Sequence, residues 1–206
     1  MTEATARLPL ALAACVLVAL AASFFGCYDR LTWFMEIAPI LVVVPLLAAT
    51  WRRFPLTDLL YVLVAAHALV LIAGGHWTYA RVPLGAWMQD AWHLSRNPYD
   101  RVGHFFQGMV PALAAREILL RQGFVTGRRM AAFLAVCVAL AVSASYELVE
   151  WAAAVALGQG ADEFLGTQGD PWDTQWDMFM ALVGATFAMA FLAPLQDRGI
   201  ARVARG

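Results

Sequence analysis

Six long apolar stretches constrain the fold of this 206-residue chain more than any other feature of its sequence. An α-helix rises about 1.5 Å per residue, so about 20 apolar residues cross the ~30 Å hydrocarbon core of a bilayer. Stretches of roughly that length lie at residues 8–26, 33–51, 56–75, 103–121, 130–157 and 173–194. They are rich in Ala and Leu and lack the alternation of membrane strands. With 62% hydrophobic residues, the chain is predicted to be an all-α polytopic membrane protein, a bundle of six transmembrane helices.

No repeat, low-complexity tract or flexible linker separates these stretches, so residues 1–206 are predicted to form a single integral membrane domain. Between the third and fourth spans, residues 84–94 are too few to cross the bilayer. Their apolar side chains recur at helical spacing, which predicts a short interfacial amphipathic helix. Such a helix would serve either as an aromatic-belt anchor or as a gate for lipids.

Arginine placement predicts the orientation of the bundle. All 14 basic residues are arginines, and most fall in alternate loops. Because cytoplasmic loops carry an excess of basic residues, both termini are predicted to be cytoplasmic. The opposite, outer side has Arg30, Arg81, Arg96 and Arg101, and nearby acids offset their positive charge. The inner side is marked by Arg7, Arg52, Arg53, Arg121, Arg128, Arg129, Arg198, Arg202 and Arg205.

Acidic residues show the opposite bias, since eleven of the 15 fall on the predicted outer side. Burying a charge in hydrocarbon costs roughly 2.5–3.5 kcal/mol on insertion scales, so acids inside apolar stretches predict a functional site. On the inner side, Glu117 lies beside Arg116 near a helix end, where both are expected to snorkel or pair. The outer acids are Asp29, Glu36, Asp90, Asp100, Glu147, Glu150, Asp162, Glu163, Asp170, Asp173 and Asp177.

The start of the fourth span carries the first motif that could support chemistry. Asp100 and His104 are four residues apart and share a helix face, which Gln107 continues. The pair could bind one metal ion, or Asp100 could fix the tautomer of His104 and leave one ring nitrogen as a base. The structural alternative is an acid that favours the helix dipole beside a histidine hydrogen-bonded in the bundle.

A second motif lies in the outer half of the fifth span. Glu147 and Glu150 share one helix face, and Ser143 lies one turn before Glu147. Two neighbouring carboxylates in an apolar site repel each other unless a cation or a shared proton intervenes. A cation partner is the favoured interpretation, and a protonated glutamate hydrogen-bonded between helices is the alternative.

A third motif opens the sixth span. Pro171 suits the first turn of a helix, which would place Asp170 at the N-cap and Asp173 and Asp177 on one face. Asp177 is too deep to be explained by capping. Two nearby glycines would let the preceding loop fold tightly, with Thr167 and Gln168 between them.

Spans two to six therefore carry polar groups at a similar depth near the outer surface. We expect their carboxylate and imidazole groups to converge in one pocket about 10 Å across or less, with room for one or two metal ions roughly 3.5–4 Å apart. The predicted catalytic residues are His104, Asp100 and Glu147. The predicted metal ligands are Asp100, His104, Glu147, Glu150, Asp173 and Asp177. Further pocket residues are expected to be Glu36, His76, Gln107, Ser143, Asp162, Thr167, Gln168 and Asp170.

Three ordered blocks also carry a family resemblance. They read YDRVGH at 99–104, YELVEW at 146–151, and GTQGD followed by WDTQWD at 166–170 and 172–177. In these blocks the chain resembles the YjdF-like inner-membrane proteins of bacteria. The resemblance implies an inner-membrane, multi-pass protein, and it implies no particular reaction.

Three functions fit these observations. The first is an enzyme that uses a divalent metal ion to act on a lipid or lipid-linked substrate at the outer face. The second is a cation or proton transporter, which should carry acids across the whole membrane. The third is an assembly subunit in which the acids pair with outer arginines. A nucleic-acid partner is not expected, because the sequence has no basic aromatic patch.

Overall fold

A computed structural model describes residues 3–157 and 168–204, and this part of the chain is helical throughout its regular structure. A short 3-10 turn, Tyr79–Arg81, precedes the fourth helix, and a π-helical segment, Ala188–Leu192, lies inside the last. The prediction of an all-helical protein is confirmed. The described residues form seven helices: α1 (Glu3–Phe24), α2 (Arg30–Thr50), α3 (Asp58–Trp77), α4 (Pro83–Trp92), α5 (Tyr99–Arg121), α6 (Arg128–Leu157) and α7 (Asp173–Val203).

Five of these helices are long and apolar enough to cross a membrane, namely α1, α2, α3, α6 and α7. The fourth predicted span corresponds to α5, which has 23 residues but falls outside this group because polar and charged side chains interrupt its apolar run. The last predicted span ended at residue 194, whereas α7 continues to Val203 through the π-helical segment.

Helix α5 lies at the centre of the fold and packs against α3, α6 and α7. Its closest neighbour is α7, and glycines make that approach achievable. A Cβ atom on Gly108 would lie 1.8 Å from the Ala181 carbonyl oxygen, and one on Gly184 would lie 1.9 Å from the Phe105 carbonyl oxygen. The two backbones therefore touch, which brings the polar side chains at the starts of α5 and α7 together.

Helices α1 and α2 form a second layer that packs on α3. Trp33 anchors this layer by donating an indole N–H hydrogen bond to Ser23 Oγ at 2.9 Å. Helix α2 begins after Asp29, whose Oδ1 accepts a hydrogen bond from the Thr32 amide at 2.7 Å. This backbone N–H stabilises the ionised carboxylate and holds the pKa of Asp29 below its usual value.

The end of the bundle opposite the acidic motifs contains a buried ionic network centred on Glu117. Its carboxylate accepts hydrogen bonds from Thr57 Oγ1 at 2.8 Å, from the Thr57 amide at 2.9 Å and from Arg121 Nη1 at 2.8 Å. Glu117 and Arg116 are paired, as expected, but not with each other: the fully buried Glu117 pairs with Arg121, and Arg116 donates to Gln196 and Asp197 of α7. The network joins the start of α3 to the ends of α5 and α7.

The last helix begins at residue 173, as the predicted span does, but its predicted N-cap is wrong. The helix begins at Asp173 with Trp172 as its N-cap residue, so Pro171 precedes it and Asp170 is not the cap. Asp170 Oδ1 instead accepts a hydrogen bond from the Trp172 amide at 2.9 Å within the preceding turn. This local turn takes up the acceptor that a cap would have used and leaves the other Asp170 oxygen free to face an arginine.

Candidate functional site

Two arginines tie together the aspartates at the starts of α5 and α7. Arg96 contacts Asp173 and lies 3.5 Å from Asp100 Oδ2 and 3.6 Å from Asp170 Oδ2. Arg101 contacts Asp177 and lies 2.9 Å from Asp173 Oδ1 and 3.3 Å from Asp170 Oδ2. We call the resulting group the acidic cluster; it comprises Asp100, Asp170, Asp173, Asp177, Glu147, His104, Arg96 and Arg101.

The two arginines were not among the residues predicted for the site. A signal was present in the sequence, since Arg96 precedes Asp100 by four residues and Arg101 follows it directly. The assembly-subunit hypothesis paired the acids with outer arginines, and Arg96 and Arg101 do form such pairs. Even with both arginines, five carboxylates face two guanidinium groups and one imidazole, so negative charge remains in excess within the cluster.

His104 lies at the inner edge of the cluster and contacts it through both ring nitrogens. Nε2 lies 3.3 Å from Asp100 Oδ1 and 3.6 Å from Asp177 Oδ1, while Nδ1 lies 2.8 Å from Gln107 Oε1. Because the Gln107 oxygen is an acceptor, Nδ1 carries a proton. Nε2 then faces two carboxylate oxygens, which requires either a second proton on the ring or a cation shared by all three groups.

The geometry of three residues fits a metal ion. One ligand atom each from Asp100, His104 and Asp177 lies within 4.8 Å of the others, and all three residues are buried. Carboxylate oxygens with one imidazole nitrogen suit divalent cations from Mg²⁺ to Zn²⁺. Glu147, which was also predicted as a ligand, is not in this group; its Oε1 is buried without a hydrogen-bond partner and lies 3.8 Å from His104 Nδ1, whereas Nε2 faces the two aspartates. Asp173 lies on the arginine side of the cluster.

A cavity of about 640 Å³ opens from the cluster into the bundle. Asp100 and His104 line its polar end together with Glu36, Tyr79 and Glu150. Glu150 therefore faces this cavity, while Glu147, one turn earlier, faces His104. Burial raises the pKa of Tyr79 well above its usual value, so its hydroxyl stays protonated and can donate a hydrogen bond beside Glu36.

Other predicted pocket residues have different surroundings. His76 hydrogen-bonds through Nδ1 to the Ser23 carbonyl oxygen at 2.7 Å, between α3 and α1, and does not join the cluster. Gln168 exchanges two hydrogen bonds of 3.1 Å with the backbone of Asn97 and thereby fastens the segment before α7 to the start of α5. Ser143 is fully buried on α6 and its Oγ has no hydrogen-bond partner. Asp162 and Thr167 lie outside the described residues.

Comparison with known proteins identifies the family. Residues 8–198 match a family model described as "Predicted membrane protein (DUF2238)". Over 175 residues the chain is 61% identical to "Inner membrane protein YjdF" of Escherichia coli (strain K12), an alignment that covers 85% of this chain and 84% of that relative. No solved structure matches the chain. These matches confirm the family predicted from the sequence blocks: the chain belongs to the DUF2238 family of membrane proteins and is similar to its YjdF relative over most of its length.

Proposed function

We propose that this chain is an inner-membrane enzyme that holds a divalent metal ion in the acidic cluster and acts on a lipid or lipid-linked substrate at the periplasmic face. The observation that carries the proposal is the arrangement of Asp100, His104 and Asp177, whose ligand atoms lie within 4.8 Å of one another. The buried Glu147 Oε1, which lacks a hydrogen bond, independently supports a cation there. A buried carboxylate oxygen that lacks a hydrogen-bond donor is costly, and a cation would offset that cost.

The residues of the cluster suit metal-assisted transfer or hydrolysis. A divalent ion in such a site would polarise a phosphoryl or carbonyl oxygen, or make bound water more acidic. Gln107 orients the His104 ring by accepting from Nδ1, which directs Nε2 toward Asp100 and Asp177. Glu147 is placed to accept a proton, since one of its oxygens has no hydrogen-bond donor.

The proposal includes the topology. We propose that α5 is a sixth transmembrane helix, because its charged side chains all have buried partners: Asp100 and Arg101 in the acidic cluster, and Arg116, Glu117 and Arg121 at the opposite end. Both termini would then be cytoplasmic, and α4, with Trp87 and Trp92 exposed, would lie at the periplasmic interface. Cysteine labelling with an impermeant reagent tests this topology. Single cysteines introduced within residues 158–172 should react from the periplasm only.

The ion pairs of Arg96 and Arg101 favour one alternative, a structural centre in a non-catalytic assembly subunit. A structural centre needs no metal, whereas the proposed enzyme does. A transport role has less support, because most acids cluster at one end of the bundle.

Elemental analysis of the purified protein tests the proposed function directly. We expect one or two equivalents of a divalent metal per chain, and an Asp177→Asn variant should lose them. The matched control is Asp90→Asn, which removes an exposed carboxylate on α4 outside the cluster. Metal-free wild-type protein that also fails to take up added Mg²⁺, Mn²⁺, Zn²⁺ or Ca²⁺ would contradict the enzyme proposal and favour the assembly subunit.

A further inference from the structure

The cavity below the acidic cluster is a long groove that follows one face of α2. Its lining residues on this helix recur every three or four positions from Glu36 to Thr50. Glu36 and Thr50 are 14 positions apart, which corresponds to about 21 Å of helix. The groove is therefore longer than the roughly 15 Å thickness of one hydrocarbon leaflet. Its volume of about 640 Å³ lies in the range of ligand-binding pockets.

The wall of the groove is aliphatic along most of this length. Helix α2 contributes side chains such as Ile40 and Val43, which face Leu71 of α3 and Val110 and Ala114 of α5. Such a surface offers no hydrogen bonds to water or to a polar solute, and it matches a hydrocarbon chain.

The groove also has a route to the bilayer. In the described part of the chain, α2 packs on α3 and α6 packs on α5 and α7, whereas α2 and α6 share no extensive interface. Leu46 of α2 and Val142 of α6 both line the groove and are 57% and 40% exposed. The gap between α2 and α6 therefore leaves the groove accessible from the side, where lipid lies in the proposed topology.

The polar end of the groove is lined by acidic side chains and by no arginine among the described residues. Glu36 and Glu150 line it outside the proposed metal ligands, together with the hydroxyl-bearing Tyr79 and Tyr146. None of the described lining residues is an arginine, because Arg96 and Arg101 face the aspartates instead. This end therefore suits a positively charged group and disfavours an anionic head group.

We infer that the groove binds one hydrocarbon chain of a membrane lipid that enters between α2 and α6, with an amine-bearing head group at Glu36 and Glu150. The inference rests on the proposed function in that it names the substrate class of the same site. It places the head group within reach of His104, which lines the same end of the groove.

Photocrosslinking in vesicles tests the inference. The purified protein is reconstituted with phosphatidylethanolamine that carries a diazirine in one acyl chain, and adducts are mapped by mass spectrometry. We expect adducts at Leu71 and Val110, which are buried and which lipid on the outer surface of the bundle cannot reach. Adducts confined to exposed positions such as Leu41 and Val42 would overturn the inference.

Matched variants separate the groove from general lipid contact. Ala114→Trp should fill the groove and reduce the adducts at Leu71 severalfold, and Val43→Trp on the less tightly packed α2 provides a second test if the first variant fails to fold. Ala190→Trp is the control, because Ala190 is exposed on α7, which contributes no described residue to the groove lining. Unchanged adducts in both groove variants would contradict the proposed path.

A head-group comparison tests the amine. Phosphatidylglycerol with the same photoreactive chain should give a lower yield at Leu71 and Val110, and an equal or higher yield would overturn the assignment of an amine. Elemental analysis of the same preparation separates the two proposals. Groove adducts in a protein that neither contains nor takes up a divalent metal would sustain the lipid site while contradicting the metal-dependent enzyme, and absent adducts in a metal-containing protein would do the reverse.

Discussion

His104 Nε2 lies 3.6 Å from Asp177 Oδ1 and so joins the second turns of two helices, at positions more than 70 residues apart in the sequence. The contact depends on the close approach of α5 and α7, and Asp100 completes it from the His104 side at 3.3 Å. Each of these residues is buried, so their charges cannot be screened by water. The balance of charge around this pair therefore decides both the stability and the ligand preference of the acidic end.

Replacing Arg101 by Gln should destabilise the protein and increase its response to divalent cations. Arg101 contacts Asp177, Asp173 and Asp170, and its removal leaves three carboxylates with less compensating charge. Loss of one partner of a buried pair costs about 3–5 kcal/mol, and we expect a value near the lower end because Arg101 is partly exposed. Thermal unfolding in detergent, with and without added Mg²⁺, measures both effects.

Arg81→Gln is the control for this variant, because the exposed Arg81 lies over the Tyr28 ring at 4.0 Å and away from the cluster. It should change the unfolding temperature little. An Arg101 variant as stable as the Arg81 variant would show that the guanidinium is not needed to hold the aspartates.

Replacing Gly184 by Ala should push α5 and α7 apart. The added methyl would lie 1.9 Å from the Phe105 carbonyl oxygen, so the helix backbones must move. Overpacking typically costs about 1–3 kcal/mol, and the separation should also weaken any metal binding that depends on the contact between His104 and Asp177. Unfolding measurements with and without metal test this.

Gly127→Ala is the matched control, since the nearest atom to its added Cβ is 3.9 Å away. If Gly184→Ala behaves like this control, the approach of α5 and α7 is not limited by the glycine.

The local parts of the site could be predicted from the sequence because helical periodicity fixes them. Asp100 and His104 share a face at i and i+4, and their 3.3 Å contact follows from that spacing alone. Five of the six predicted membrane helices were also predictable, since the apolar length of a span follows directly from bilayer thickness. The orientation of the bundle and the role of the cluster remain predictions.

The parts that depend on contacts between helices could not be predicted in the same way. The inward orientation of Arg96 depends on how residues before α5 meet α7, and no local pattern encodes it. His76 lies on the expected helix end, but its ring turns to the Ser23 carbonyl oxygen of α1. The groove arises from the spacing between α2 and α6, which is a property of packing and leaves no periodic mark in the sequence.

Replacing Glu117 by Ala should be among the most destabilising changes at the end opposite the cluster. Glu117 is fully buried and accepts hydrogen bonds from Thr57 and Arg121, so its loss leaves a buried hydroxyl without its acceptor and a partly buried guanidinium without its carboxylate partner. We expect a cost of about 3–5 kcal/mol, measured by thermal or denaturant unfolding. Asp58→Ala is the control, since that acid is exposed in the first turn of α3, and equal stability of the two variants would contradict the role of the network.

The N-cap of α2 should give a small, pH-dependent contribution to stability. The Thr32 amide lowers the pKa of Asp29 from its ordinary value of 3.8, so the stabilisation is complete above that value and is lost as the pH falls through the lower folded value. Asp29→Ala should cost about 0.5–2 kcal/mol at neutral pH. Asp29→Asn keeps an acceptor without titrating, and it should remove the acid-dependent part; identical pH profiles for wild type and Asp29→Asn would contradict this account.

Metal-dependent stability provides the sharpest separation between an enzyme site and a structural ion-pair centre. A ligand that binds only the folded state stabilises it by mass action, by about 2.7 kcal/mol at a concentration 100 times its Kd. Glu147→Ala should abolish this gain and leave the metal-free protein as stable as wild type or slightly more stable, because it removes a repelling carboxylate. Asp177→Ala should also abolish the gain, but it should lower stability with or without metal, because Arg101 loses its buried partner. A structural centre gives the reverse pattern, with no response to chelator and a loss of about 1–3 kcal/mol when one partner is removed.

Thermal melts in detergent with chelator, Mg²⁺, Mn²⁺, Zn²⁺ and Ca²⁺ decide between the metal site and the structural centre. Asp90→Ala is the control for removal of an exposed acid. Indifference of the wild-type melt to every ion would remove the metal from the proposal.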